Sequence, residues 1–537
     1  MAARMTAERI WLYDTTLRDG AQTQGVDFTV QDKRRIAREL DSLGIDYVEG
    51  GWPGANPVDE AFFAEPPALT QARLCAFGMT RRAGRSAAND PGLVALFQAR
   101  TPVITLVGKS SVRHAEGALG VSRGENLTMI ADSVREARRH AEEVMLDAEH
   151  FFDGFKEDAG YSLACLEAAF EAGARWIVLC DTNGGTLPHE VEAIVGRVAS
   201  RIPAERLGIH THNDTENAVA NSLAAIRAGA RQVQGTLNGL GERCGNANLV
   251  SLIPTLTLKL GYTTGVPEAG LRHLTHLSRT FDERLNRTPN RHAPYVGASA
   301  FAHKAGLHAA AVTKDPTYYE HLDPALVGNS RDVLVSDQAG RSNLLFRFAE
   351  MGLDVDPDPE QTAALLAAIK DREARGWAYD GATASFELLV RRTLGQVPDY
   401  FDLLSFRVID ERRFNALGEL VTTSEATIKV AVGGRHYYTV ADGNGPVNAL
   451  DHALRQALAE TYPALGDMQL VDYKVRILAP EQGTAAVTRV VIDSGDGAGQ
   501  VWQTVGVSGN IIDASYNALH DAITYKLFID GARAPSA

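Results

Sequence analysis

The stretch "IWLYDTTLRDGAQ", residues 10–22, opens as a strand and closes as a cluster of charges. Ile10 to Tyr13 are apolar, after which the run breaks into Asp14, Arg18 and Asp19 and stops at Gly20. Seven further β-rich runs follow it: "IDYVEGGW", "RLCAFGM", "PVITLVG", "EVMLDAEHFF", "RWIVLCDTN", "RLGIHTHND" and "QVQGTLNGLG". Between them lie amphipathic stretches such as "TVQDKRRIARELDSLG" and "NAVANSLAAIRAGA", with apolar residues three and four apart and a Gly near each end. Eight strands alternating with helices are the pattern of an α/β (β/α)8 TIM barrel, with a doubly wound open sheet as the competing arrangement.

The chain has 537 residues, too many for one core, so further domains are expected. Residues 1–284 are assigned to the barrel. Residues 285–390 change composition, with His, Asn, Pro and small residues in "LNRTPNRHAPYVGASAFAHKAGLHAA" and then the helical "PEQTAALLAAIKDREARG", and read as a connecting helical subdomain. Residues 391–537 turn to alternating strands such as "EATIKVAVGG", "RHYYTVADG" and "TRVVIDSG", each group followed by a helix, and read as an α+β domain. Within it "TVADGNGPVNALDHAL" (439–454) aligns with "TVGVSGNIIDASYNAL" (504–519), identical at five of sixteen positions. Such a repeat predicts two similar half-units, an arrangement suited to effector binding or to association.

The formal charge of −14 argues against a nucleic-acid surface. An anionic substrate must then be held by local cations or a metal. The four cysteines, Cys75, Cys165, Cys180 and Cys244, show no CxxC spacing, which fits a reducing compartment. Cys244 reads as a small packed residue rather than a nucleophile, and Glu242 and Arg243 as a pair. No apolar run approaches the roughly 18 residues of a membrane span, and "MAARMTAERI" has no apolar leader core, so a cytoplasmic protein without membrane association is expected.

Barrels carry their reactive groups at the C-terminal ends of the strands. There stand Arg18 and Asp19, Glu49, Asp147 and Glu149, Asp181 to Asn183, "HTHND" from His210 to Asp214, and Asn238, Glu242 and Asn246. Residues two apart on a strand share a face, so His210 and His212 can aim two imidazoles at one point. With Asp19 they complete a 2-His-1-carboxylate set, suited to Mn²⁺, Zn²⁺, Fe²⁺ or Co²⁺. Arg18 beside such a cation is placed to stabilise an oxyanion on a bound carbonyl or enolate. The combination favours carbon–carbon chemistry on a 2-oxo acid.

Together "LYDTTLRDGAQ", "HTHND", "GLGERCGNANL" and "HKAGLH" resemble the acyl-CoA-condensing 2-oxo-acid synthases of the DRE-TIM metallolyase group, which make isopropylmalate, homocitrate and citramalate. "DYVEGGWPGANPVDEAFF", "DAEHFFDGFK" and "LCDTNGGTLP" are most similar to the citramalate-forming branch. The resemblance covers nearly the whole chain. It implies a divalent metal (Mn²⁺, Mg²⁺, Co²⁺ or Zn²⁺) on Asp19, His210 and His212, with Asn246 as a further ligand or close neighbour. It implies Arg18 on the charge of the substrate, Glu149 supporting the metal, and Thr182 on the carboxylate of the 2-oxo acid. His308 and Tyr319, contributed by the partner subunit of a homodimer, are implied as the general-base pair. The implied reaction joins acetyl-CoA to pyruvate, the first step of a threonine-independent route to isoleucine. The C-terminal domain resembles one that binds a branched-chain amino acid, with isoleucine as the expected effector. "DGNGPVNA" (442–449), with Asp442, Gly443, Gly445, Pro446 and Asn448, would be its turn; a Gly-Pro turn with a helix cap at Asn448 is the plainer reading. The alternatives are a larger 2-oxo acid on the same scaffold, a lyase of the same barrel group, and a non-catalytic regulator that binds metal or amino acid.

Overall fold

The computed structural model describes residues 8–303, 311–312, 314–333, 344, 348, 353, 355, 357–379, 381–478 and 480–535. Two compact units divide the chain. The first holds residues 1–281, 290–302 and 310–330; the second holds 282–289, 303–309 and 331–537.

The eight runs of the first unit are eight parallel strands: β1 (Trp11–Asp14), β2 (Tyr47–Gly51), β3 (Arg73–Met79), β4 (Val103–Lys109), β5 (Glu143–Glu149), β6 (Trp176–Asp181), β7 (Leu207–Thr211) and β8 (Gln232–Gly235). They pair in sequence order, and β1 closes on β8 through Trp11 with Gln232 and Asp14 with Gly235. Closure excludes the open doubly wound sheet. The strands are buried on both faces, which is why they read as apolar runs rather than as alternation. The lower barrel is filled by side chains from successive strands, with Tyr13, Tyr47, Cys75, Val103, Met145 and Trp176 in one cluster. Helices begin and end where local chemistry directs. Thr29 and Asp32 form a reciprocal capping box at the start of Val30–Leu43, and Gly44 ends that helix at φ 102°, a left-handed conformation that glycine tolerates best.

The second unit repeats one motif. A three-stranded antiparallel meander, β9 (Asp402–Phe414), β10 (Leu420–Val432) and β11 (Arg435–Gly443), precedes the helix Pro446–Leu458. Another, β12 (Gln469–Ile477), β13 (Thr488–Gly495) and β14 (Val501–Ser508), precedes Ile511–Ile529. The two helices start 511 − 446 = 65 residues apart, the offset of the sequence repeat. Even one tertiary hydrogen bond is copied: Thr439 Oγ1 donates to Ala453 O at 2.8 Å, and Thr504 Oγ1 to Ala518 O at 2.9 Å. The helix Thr383–Thr393 belongs to this unit, with Ser385 Oγ donating to Asp521 and Phe386 packed with Val505.

Candidate active site

The turn after β1 is built by Asp14. Its buried carboxylate accepts from Thr16 N (2.9 Å) and Thr16 Oγ1 (2.8 Å), while burial pushes its pKa up to about 7. The amides of Arg18, Asp19 and Gly20 all converge on Thr15 O. Arg18 and Asp19 therefore stand in a tight turn above the strand, not on its last residues as the sequence suggested. On β7, Thr211 turns outward to Ala218 O and Ser222. His210 and His212, on either side of it, turn inward.

The three predicted ligands meet. His210 Nε2 lies 3.4 Å and His212 Nε2 4.0 Å from Asp19 Oδ2, and the two Nε2 atoms are 3.2 Å apart. Among the described residues these are the only three whose His, Cys or carboxylate ligand atoms cluster tightly enough to hold a metal ion. Burial opposes ionisation of Asp19, but Arg18 and the two imidazoles hold its carboxyl well below the usual range. Burial and the charge of His210 push His212 down to about 3. Burial also disfavours charge on His210, but the hydrogen bond and charge of Asp19 outweigh it and raise its pKa. Asn246 is paired to His212 through a short β-bridge and is 3% exposed. Both its side-chain polar atoms, and His212 Nδ1, are buried without a hydrogen-bond partner. Buried polar atoms are rarely left so, and a nitrogen/oxygen donor set with orphaned groups around it fits a divalent cation.

Arg18 is held from three sides. Its Nε donates to Glu49, Nη1 lies 3.7 Å from Asp19, and the guanidinium sits 3.9 Å over the Phe77 ring. Burial works against its charge, but Glu49 and Asp19 keep it protonated. Glu49 is fully buried and accepts a second bond from Tyr13 Oη at 2.7 Å. A carboxylate inside a strand buried on both faces requires a cation partner, a sequence signal for Glu49 that the strand-end survey left without a role.

Arg18, Asp19, Asp147, Glu149, Thr182, His210 and His212 line one cavity of about 240 Å³, with Trp52, Phe77, Met79, Val107 and Lys109 on its walls. Thr182 Oγ1 accepts from His150 N at 2.9 Å. Glu149 pairs with Lys109, not with the three-residue cluster. Other rim residues are spent on structure. Asp181 binds Thr186, Asn183 binds Asp153, and Asn238 binds Ser278. Arg243 lies 3.6 Å from Glu242 but makes its closer contacts with Asp214, at 2.7 and 2.9 Å, and with Thr182 O. Cys244 is exposed, contrary to the packed role expected of it. Tyr319 follows a short helix in the first unit and is 45% exposed, away from the lining of this cavity. His308 lies outside the described residues.

In the second unit, Gly445 and not Asn448 occupies the cap of the helix Pro446–Leu458, with no side-chain cap bond. Asn448 Oδ1 instead accepts from Asn444 N at 3.1 Å, closing the turn, and His452 Nδ1 contacts Asp442 O.

Three family models match the chain in succession: HMGL-like over residues 9–277, homocitrate synthase post-HMGL domain-like over 295–376, and LeuA allosteric (dimerisation) domain over 380–527. The (R)-citramalate synthase of Aquifex aeolicus is 51% identical over 526 residues, 98% of this chain and 99% of that one. That of Geobacter sulfurreducens is 52% identical, over 96% and 97%. The chain belongs to the (R)-citramalate synthase family. A 2-isopropylmalate synthase of Methylobacterium nodulans is more distant, 32% identical over 91% of this chain and 90% of its own. For a citramalate synthase family member, the inward cluster at the C-terminal ends of β1 and β7 stands where (β/α)8 enzymes keep their chemistry. Among the described residues no helix is long and apolar enough to cross a membrane.

Proposed function

We propose that this chain condenses acetyl-CoA with pyruvate, giving (R)-citramalate and CoA. The observation that carries the proposal is the convergence of Asp19, His210 and His212 beside a half-buried Arg18 that Glu49 holds through Nε. A divalent ion, Mn²⁺, Mg²⁺, Co²⁺ or Zn²⁺, held by these three with Asn246 beside them, would act as a Lewis acid on the keto group of pyruvate. The protein does the rest. Thr182 offers a hydroxyl to the pyruvate carboxylate, and Arg18 faces the charge that grows on the keto oxygen. Glu149, tied to Lys109, sets the charge of the cavity wall behind the cluster. A base removes a methyl proton from acetyl-CoA, and the enolate carbon attacks the keto carbon, whose oxygen takes a proton. Water then cleaves the thioester, releasing CoA. His308 and Tyr319 of a second subunit are the proposed base pair, which makes the working enzyme a homodimer. The exposure of Tyr319, away from its own cavity, supports a role for it outside its own subunit.

The division into barrel (1–284), connecting subdomain (285–390) and regulatory domain (391–537) belongs to this reading. So does isoleucine as effector at the turn of Asp442, Gly443, Gly445, Pro446 and Asn448, in an isoleucine route of the cytoplasm. The amides of a helix start that lacks a side-chain cap support carboxylate binding there. CoA release followed with a thiol reagent, using pyruvate, 2-oxoisovalerate and 2-oxoglutarate with product identification, tests the substrate. Pyruvate is expected to be the fastest; if it is the slowest, the substrate assignment is wrong.

A further inference from the structure

Gln234 is the penultimate residue of β8, fully buried and turned into the barrel. Its amide joins two other strands. Oε1 lies 2.9 Å from His210 Nδ1 on β7, and Nε2 donates to Asp147 Oδ1 on β5 at 3.0 Å. Neither Gln234 nor Asp147 is among the residues given a role in the reaction above.

The orientation of this amide has a chemical consequence. An amide oxygen only accepts, so the His210 nitrogen that faces it must carry the proton. With hydrogen on Nδ1, the neutral ring presents a lone pair at Nε2, the atom 3.4 Å from Asp19 Oδ2 and 3.2 Å from His212 Nε2. Had the amide been reversed, its NH₂ would require a lone pair at Nδ1, and Nε2 would carry hydrogen where a ligand is needed. Asp147 decides between the two by taking the NH₂ end. Metal-bound imidazoles generally depend on such a partner for tautomer and ring angle.

We infer that Gln234, oriented by Asp147, is a positioning residue that locks His210 in the metal-binding tautomer. The inference rests on the metal site proposed above and concerns which residue prepares it.

The test is Mn²⁺ titration of metal-stripped, full-length protein by calorimetry, with melting temperature recorded in parallel. The parent is expected to bind one Mn²⁺ per chain. Gln234→Leu, close in size but without an acceptor, is expected to bind Mn²⁺ about 10–100-fold more weakly, the usual cost of losing such a partner. Gln234→Glu combined with Asp147→Asn keeps an oxygen facing His210 Nδ1 and lets the Asn amide donate across the same contact, so this Glu variant is expected to stay within about threefold of the parent, because affinity is set by the acceptor. Should the branched Leu not fold, Gln234→Met removes the acceptor with a more adaptable chain. A folded Leu or Met variant with parental affinity overturns the inference while leaving the metal site standing. So does a folded Glu variant as weak as they are, since a filler role would not be rescued by an acceptor. A parent that binds no Mn²⁺ overturns the site and the inference together.

Discussion

Replacing Arg18 by Lys keeps the charge and removes the fork. The guanidinium engages Glu49 through Nε, approaches Asp19 with Nη1 at 3.7 Å and lies flat on Phe77 at 3.9 Å. One ammonium cannot satisfy buried Glu49 and also face the cavity. If Lys pairs with Glu49, the growing charge on the keto oxygen loses a preorganised donor. Loss of one such donor costs about 10²–10³ in kcat, or about 2.7–4 kcal/mol. If Lys reaches upward instead, Glu49 keeps only the Tyr13 hydroxyl. The protein is then destabilised by about 1–3 kcal/mol for a buried acceptor left short of a partner. Thiol-reagent detection of CoA at saturating pyruvate reads the first outcome, and urea unfolding reads the second. Mn²⁺ affinity should move by less than about threefold in either case, because the ligand atoms of Asp19, His210 and His212 are untouched. A variant with kcat within about threefold of the parent and unchanged stability would refute the role given to Arg18.

Two further substitutions probe the two units separately. Asp41 accepts four hydrogen bonds, from Thr70 N and Oγ1 and from Gln71 N and Ala72 N, so Asp41→Ala should lower urea stability by about 2–4 kcal/mol, partly repaired by water. Although burial opposes it, these bonds depress the pKa of Asp41 in the folded state. Its stabilisation is therefore complete above the unfolded value near 3.9 and fades as pH falls through the lower folded one, so the gap between parent and variant should narrow only below about pH 4. Gly445→Val tests the effector turn, because a side chain there meets open space and φ is −176°, extended backbone that any residue adopts. Its melting temperature should stay near the parent's while isoleucine inhibition weakens by about tenfold, as crowding displaces a carboxylate at the helix start; undiminished inhibition places the effector elsewhere. A point change is preferable to ending the chain near residue 400, which would strip the helix Thr383–Thr393 of Asp521 and Val505 and expose Phe386.

What the sequence made legible was whatever depends on near neighbours. His210 and His212 were readable as co-facial because strand geometry alternates with period two, whatever the rest of the chain does. The eight strands were readable because burial on both faces leaves unbroken apolar runs between amphipathic helices. The half-unit repeat survived at low identity because the residues that copy the Thr439–Ala453 bond as Thr504–Ala518 sit at one fixed offset. What stayed hidden depends on partners that only barrel closure supplies. Asp14, next to the predicted site, turned out to template the turn through Thr16, two residues on, and so lifted Arg18 and Asp19 off the strand end. Glu49 meets Arg18 across 31 residues, and Gln234 meets Asp147 across 87. Asn448 and Cys244 show the same limit, since a cap or a packed thiol is a matter of what surrounds it, and composition alone does not say. The groups that touch substrate are therefore announced by type and spacing, whereas those that orient them announce themselves only as polar residues inside strands that should have none. "QVQG" and "YVEGG" are such strands, and an amide or carboxylate buried in a barrel wall must find its partner on another strand. A search of a sequence for polar residues at inward strand positions, one or two before the C-terminal end, would have brought Gln234 and Glu49 forward with the ligands they support.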